Sequence, residues 1–426
     1  MKRLAWLCLC LSLASCSNSV TRNVVQPPET RVEPVTETLH GVEVTDPYRW
    51  LEGDNSDPDN QGAATPEVTA WTDAQNAYTR SILDNLPGRK ALEDRLRPLM
   101  EVGSVTRPVI RGERYFYTKR EGNQNQPVVF MRNGYDGEDT VLIDPAVLDP
   151  SGLTTVTWFS PDASGKLMAY GTYSQGDENT TLHLLEVDTQ KLLELEIPDK
   201  TQAPDWLPDG SGFVYNNLKN PSDPYSGQVM FHRMGADPAG DALLFRQFTK
   251  EENEKLATTW GPYGGLSEDG HWLVLGYWID TKSNDLWIVD FDEFLKTGEI
   301  NKKVVTVGEP GLVQDAAVFD DILLIQTTKG APQGRIVATN PRQPDASTWR
   351  DLVPERTDAV IESVAWGEGV FAVTYMKNAS NVVEVFDMTG KSLGVLEQPG
   401  IGSVGLSAER DRTEAFLTFT SFNYPT

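Results

Sequence analysis

Four scarcities narrow the reading of this sequence. Cysteine occurs three times in 426 residues, and Cys8 and Cys10 both lie in the leader-like start, so a processed chain keeps no pair for a disulfide. Histidine occurs four times, as His40, His183, His232 and His271, in none of the spacings that bring two imidazoles onto one face. With no cysteine pair to help, no metal site and no cofactor is expected. Lysine and arginine are outnumbered 37 to 62 by aspartate and glutamate, for a formal charge of −25. Nucleic acid is thereby excluded as a natural partner, because affinity for it comes from neutralising phosphates with cations. A long apolar run is also missing. Residues 4–13 are apolar but too few to span a bilayer.

Those residues instead read as an address. Lys2 and Arg3 form a basic start, the apolar run follows, and Leu13-Ala14-Ser15-Cys16 is a small-residue cleavage site ending in cysteine. The site resembles the bacterial lipobox, in which the cysteine is acylated and becomes the mature N-terminus; the alternative is an ordinary secretory signal with a chance cysteine. Residues 1–15 are therefore expected to be a lipoprotein signal peptide, with Cys16 as the lipidation site and the lipid anchor as the only link to a membrane. Ser17 after the cysteine, in place of aspartate, implies the outer membrane, facing the periplasm. Residues 16–36, with Pro27, Pro28 and Pro34, are expected to form an extended tether.

What is plentiful is aromatic residues and turns. Residues 40–52, HGVEVTDPYRWLE, read as a short strand at Val42 and Val44, then a turn started by Asp46-Pro47. A cluster follows in which Tyr48, Trp50 and Leu51 want burial and Arg49 wants a carboxylate. Thr65 is a candidate N-cap with Pro66 behind it, and Val68, Trp71, Gln75, Tyr78 and Ile82 follow at helical spacing. Pro87-Gly88 ends that helix and Leu92, Leu96 and Leu99 mark a second. Residues 37–105 are taken as an N-terminal arm.

From Arg111 the period changes to two. The stretch 155–173, TVTWFSPDASGKLMAYGTY, is a strand ending in an aromatic pair, a Pro-Asp-Gly turn and a second strand. Imperfect copies follow at 203–215 and 264–277, and strand pairs continue near 316, 361 and 402, with starts about every 45 residues, the spacing of four-stranded propeller blades. Such a unit cannot bury itself without neighbours. The fold these repeats predict is all-β: a seven-bladed β-propeller over residues 106–426, its last blade incomplete, preceded by the short α-helical arm.

A search for chemistry returns little. Gly390-Lys391-Ser392-Leu393-Gly394 matches the nucleophile elbow, but it joins two strands and no helix follows. Gly400 to Gly405 matches a dinucleotide fingerprint, again with no helix to receive a pyrophosphate. No nucleophile stands beside a base that could activate it, so no catalytic residue is assigned.

The arm and repeats together resemble a known family. Residues 46–52 (DPYRWLE), 71–79 (WTDAQNAYT), 115–128 (YFYTKREGNQNQPV), 206–215 (WLPDGSGFVY) and 418–425 (TFTSFNYP) are similar to the N-terminal part of the prolyl oligopeptidases, serine peptidases that cut short peptides after proline. The resemblance implies a propeller that filters substrates by size over an α/β-hydrolase domain built from the arm and a C-terminal segment. In the family that segment holds the Ser, Asp and His of the triad, so none of them is carried onto this chain. The chain alone is expected to be inactive, with a hydrolase domain downstream and short proline-containing peptides as substrates. The resemblance also places Leu184 near a substrate-pocket position. The alternative is a non-catalytic propeller lipoprotein that binds peptides or proteins. The arm separates the two, because Tyr48, Trp50, Leu51 and Trp71 resemble elements that rest on a hydrolase domain.

Overall fold

Strand alternation with sharp turns becomes a series of separate antiparallel sheets in the computed structural model, which describes residues 26–57, 61–319 and 321–424. Six sheets have four or five strands, spanning residues 104–143, 154–197, 205–246, 261–306, 313–353 and 360–395. A seventh has two, Ser403–Ala408 and Ala415–Thr420. In the second to sixth sheets strand order follows chain order, so each is a meander, the form of a propeller blade. The expectation of seven blades is thus corrected to six blades and a hairpin: the last repeat supplies two strands, and among the described residues these pair only with each other.

The turns work as their residues dictate. Asp162 accepts hydrogen bonds from the Lys166 and Leu167 backbone, both at 2.9 Å, and from the Ser164 hydroxyl at 2.6 Å. Gly165 takes φ +65°, a conformation a side chain would strain. Asp209 and Asp269 anchor the equivalent turns in the third and fourth blades.

Six apolar clusters then join consecutive sheets. Phe116 and Val129 meet Met168 and Tyr170 between the first and second blades. Between the third and fourth, Val229 and Phe231 meet Leu273 and Leu275; at the end of the series Ala372 and Val383 meet Val404. Each buried large side chain contributes about 1.5–3 kcal/mol. Asparagine reinforces three of these joints. Asn216 bridges both backbone polar groups of Gly264, at 3.0 and 2.9 Å, and Asn284 brackets Val313 at 2.9 and 2.7 Å. Asn381 accepts from Val404 N–H at 2.8 Å and donates its own N–H to Gly402 O at 2.9 Å.

Among the described residues, those up to Met100 form a compact unit distinct from those from Glu101 onward. Ser104–Val105, which the sequence reading leaves with the arm, pairs with Lys119 and Arg120 and so belongs to the first blade. Within the arm, Val35–Leu39 and Val42–Asp46 make a hairpin through His40 and Gly41. Arg49 finds the carboxylates it needs, donating to Glu37 at 3.0 and 3.2 Å and to Asp46 at 3.1 Å. Helices α1 (Pro66–Leu83) and α2 (Arg89–Met100) follow, with Thr65 Oγ1 capping Val68 N–H at 3.2 Å. The expected tether is structured at its described end: Pro28 O accepts from Gln75, Thr30 Oγ1 from Trp71 and Arg31 O from Trp50, at 2.9–3.1 Å. No residue of α1 or α2 is buried. The signal peptide and Cys16 lie outside the described residues.

Candidate functional site

The first strand of each blade contributes to a common lumen. A cavity of about 380 Å³ is lined from the third blade by Asp205, from the fourth by Tyr263, Gly264, Gly265 and Trp278, from the fifth by Val313 to Phe319, and from the sixth by Trp366. A second, of about 320 Å³, continues it toward Arg111, Ser160, Pro204 and Glu409, and shares Asp205 and Glu268 with the first. Both open where each first strand turns into the second.

Small residues make the room. The first strand of the third blade is only Asp205–Trp206, and its neighbour reads Gly-Pro-Tyr-Gly-Gly-Leu. Asp205 leans over that strand and accepts from Leu266 N–H at 3.2 Å. A Cβ on Gly265 would sit 2.5 Å from its Oδ2, so any larger residue there would have to push the carboxylate aside. Tyr263 lies against Gly276, where a Cβ would meet its ring at 1.9 Å, and its hydroxyl accepts from Asn284 Nδ2 at 2.9 Å.

The lumen raises the acids that face it. Protein packed around Asp205 pushes its carboxyl up to about 6, opposed by the Leu266 N–H. Asp315 is raised for the same reason, with the Trp366 indole opposing; that indole N–H is buried and makes no well-formed hydrogen bond. Both side chains are nonetheless open to water held inside the channel, which moderates the effect. At the mouth the acids are paired: Glu268 with Arg410 at 3.1 Å and Glu409 with Arg111 at 3.5 Å. Burial raises Glu409, with Arg111 opposing.

Other sequence candidates fall elsewhere. Leu184 is 1% exposed, packed with Ala169, Leu182 and Phe213 between the second and third blades, and lines neither cavity. Gly390 sits in a hairpin turn at φ +86°. The histidines are scattered: His40 in the arm hairpin, His183 on Thr172, buried His232 on Asp241, exposed His271 on Asp292. Among the described residues no three metal-ligating side chains come together. Asp205, Asp315 and Arg410 went unnoticed in the sequence. Their only signal is position, Asp205 at the start of a first strand, Asp315 within one and Arg410 in a turn, and it means nothing until the ring is closed.

Comparison with known proteins agrees with this architecture. The family described as prolyl oligopeptidase, N-terminal β-propeller domain, matches residues 27–426. A prolyl endopeptidase of Elizabethkingia meningoseptica is 28% identical over 413 residues, covering 95% of this chain and 55% of the relative. Prolyl oligopeptidase A of Amanita bisporigera is 26% identical, covering 92% and 54%. Among solved structures, a chain from a study of two prolyl endopeptidases superposes with TM-score 0.84 at 29% identity, over 94% of this chain and 57% of that one. Prolyl oligopeptidase B of Galerina marginata, bound to a hydrolysis and macrocyclization substrate, shares the fold with TM-score 0.79 at 23% identity. The chain spans a little over half the length of the relatives it matches.

Proposed function

The chain belongs to the prolyl oligopeptidase family, through its N-terminal β-propeller domain, and from that premise we propose that it gates substrate for a serine peptidase cleaving short peptides after proline. The observation that carries this reading is the lumen: two adjoining cavities of about 380 and 320 Å³, lined by acidic and aromatic side chains from the first strands of successive blades. The chemistry is assigned to the part of the relatives that this chain does not span. The terminal hairpin is taken as the inner half of a seventh blade, because Asn381 grips Val404 as Asn284 grips Val313 on the first strand of the fifth blade. The arm fits the same reading: Leu92, Leu96, Leu99 and Met100 of α2 are 46–72% exposed, an apolar face suited to a hydrolase domain.

The test is incubation of the 426-residue chain with a chromogenic Gly-Pro amide. No turnover is expected. Hydrolysis that a serine-directed inhibitor stops would sink this division of labour. Anchoring through Cys16 at the outer membrane is part of the proposal; labelled palmitate should enter the wild-type chain in a Gram-negative host and fail to enter Cys16→Ala.

A further inference from the structure

Arg410 occupies the turn of the terminal hairpin, whose strands pack on the sixth blade. Its side chain ends elsewhere. The guanidinium carbon lies 3.6 Å from the centroid of Phe319, a guanidinium nitrogen is 3.1 Å from Glu268, and another contact reaches Val318 O at 3.5 Å. Phe319 and Val318 belong to the fifth blade, and Glu268 to the turn of the fourth. Counted along the chain, those blades stand two and three places before the hairpin, so the side chain reaches past the adjoining sixth blade.

The cavities show what that reach does. Beyond the lumen cavity of about 380 Å³ lies a mouth cavity of about 450 Å³ that includes Gly367, Met388 and Asp411. The residues lining both are Glu268, Phe319 and Arg410. Those three residues therefore form the partition between these two cavities.

We propose that Arg410 is a latch across the channel, and that what displaces it is the guanidinium or ammonium group of a short basic peptide. The inference rests on the gating reading above and adds to it a class of substrate. Phe319 and Glu268 together already form a receptor for a cation, since a guanidinium occupies them. Past the latch an incoming cation meets Asp205 and Asp315. Neither has a lysine, arginine or histidine partner among the described residues, in contrast to the paired acids at the mouth. Tyr263, Trp278 and Trp366 line the same space. Burial raises both carboxyls, so a cation beside either one offsets part of the cost of ionising it. Release of the latch is easy, because Arg410 and Glu268 are 27% and 54% exposed and such a pair is weakly held.

The experiment is fluorescence anisotropy on the full chain with two dye-labelled probes, Arg-Pro-Arg-Pro amide and Gln-Pro-Gln-Pro amide. Wild type should prefer the arginine probe. Arg410→Ala should bind that probe about tenfold more tightly and faster, the scale of one exposed ion pair plus one cation–π contact. Arg410→Lys should fall between the two, and Asp205→Asn with Asp315→Asn should erase the preference for arginine. Unchanged melting temperatures would show that the variants fold. Unchanged rates and affinities for both probes in Arg410→Ala would overturn the latch. Equal gains for both probes would overturn the cationic class and leave gating intact. If neither probe shields a Gln314→Cys thiol in the lumen from alkylation in any variant, the gating reading falls as well.

Discussion

The terminal hairpin is held by two seams of opposite character. Toward the sixth blade it offers Val404, Leu406 and Phe419 to Ala372, Val383 and Val385, with Asn381 locking the backbone. Toward the first blade the contacts are polar. Arg412 donates to Gly112 O at 2.7 Å and to the Tyr115 hydroxyl at 3.3 Å, Tyr115 donates to Glu414 at 3.0 Å, and Arg111 faces Glu409. No apolar cluster spans this second seam among the described residues. Apolar burial ignores salt and resists opening, whereas half-exposed ion pairs are screened and exchange readily with water. The hairpin should therefore move with the sixth blade, and the ring should part beside the first.

Paired substitutions test that asymmetry. Asn381→Leu strips the Val404 N–H of its acceptor in a buried joint, and Asn381 is 6% exposed. The expected loss is about 3 kcal/mol, read in denaturant melts and unchanged by salt. Arg412→Ala removes the hydrogen bonds to Gly112 O and Tyr115 across the seam and the ion pair with Glu414 inside the hairpin, with an expected loss of about 1.5 kcal/mol that shrinks as salt is raised toward about 1 M. Hydrogen exchange should speed up at the first strands of the first blade in Arg412→Ala and leave the sixth untouched. Equal salt sensitivity of the two variants would erase the distinction between the seams.

The apolar seams were legible in the sequence and the polar one was not. The apolar runs at 167–171 and 272–277 state that these strands are buried on both faces, and such a run is a local feature of the sequence. The Pro-Asp-Gly turns are equally local, and they mark blade after blade. The strand pair near 402 is a local feature too, but whether two strands make a blade depends on what they pair with, which no local pattern states. The short helix Phe291–Thr297 escaped notice, although Asp290 caps it and Gly298 ends it at φ +77°. At seven residues it is too short for helical periodicity to show. The lumen was invisible for a stronger reason. Asp205, Asp315 and Arg410 are far apart in the chain, and Arg410 reaches Val318 across 92 positions. Only ring closure brings them together, and their neighbours in sequence carry no trace of it.

The lumen also sharpens the comparison, since its acids have neither the packing of one seam nor the pairing of the other. Asp205 is the cleanest case. Its folded value of about 6 lies above the ordinary aspartate value, so the fold binds the proton more tightly than the unfolded chain does. The stability it contributes is full below about pH 4 and is lost as pH rises through about 6. At neutral pH the ionised carboxylate is then a burden, one reduced by lumen water and by the Leu266 N–H. Asp315, Glu268 and Arg410 share its cavity, and Arg410 is committed to Glu268. Asp205→Asn keeps an acceptor for Leu266 and removes the charge. It should stabilise the chain by about 1 kcal/mol at pH 7.5, after discounting for water in the channel, and by nothing near pH 4. Denaturant melts of wild type and variant at both values provide the check. A gain that is the same at the two pH values would mean that the amide merely packs better, and that the lumen carries no unpaired charge for a cation to meet.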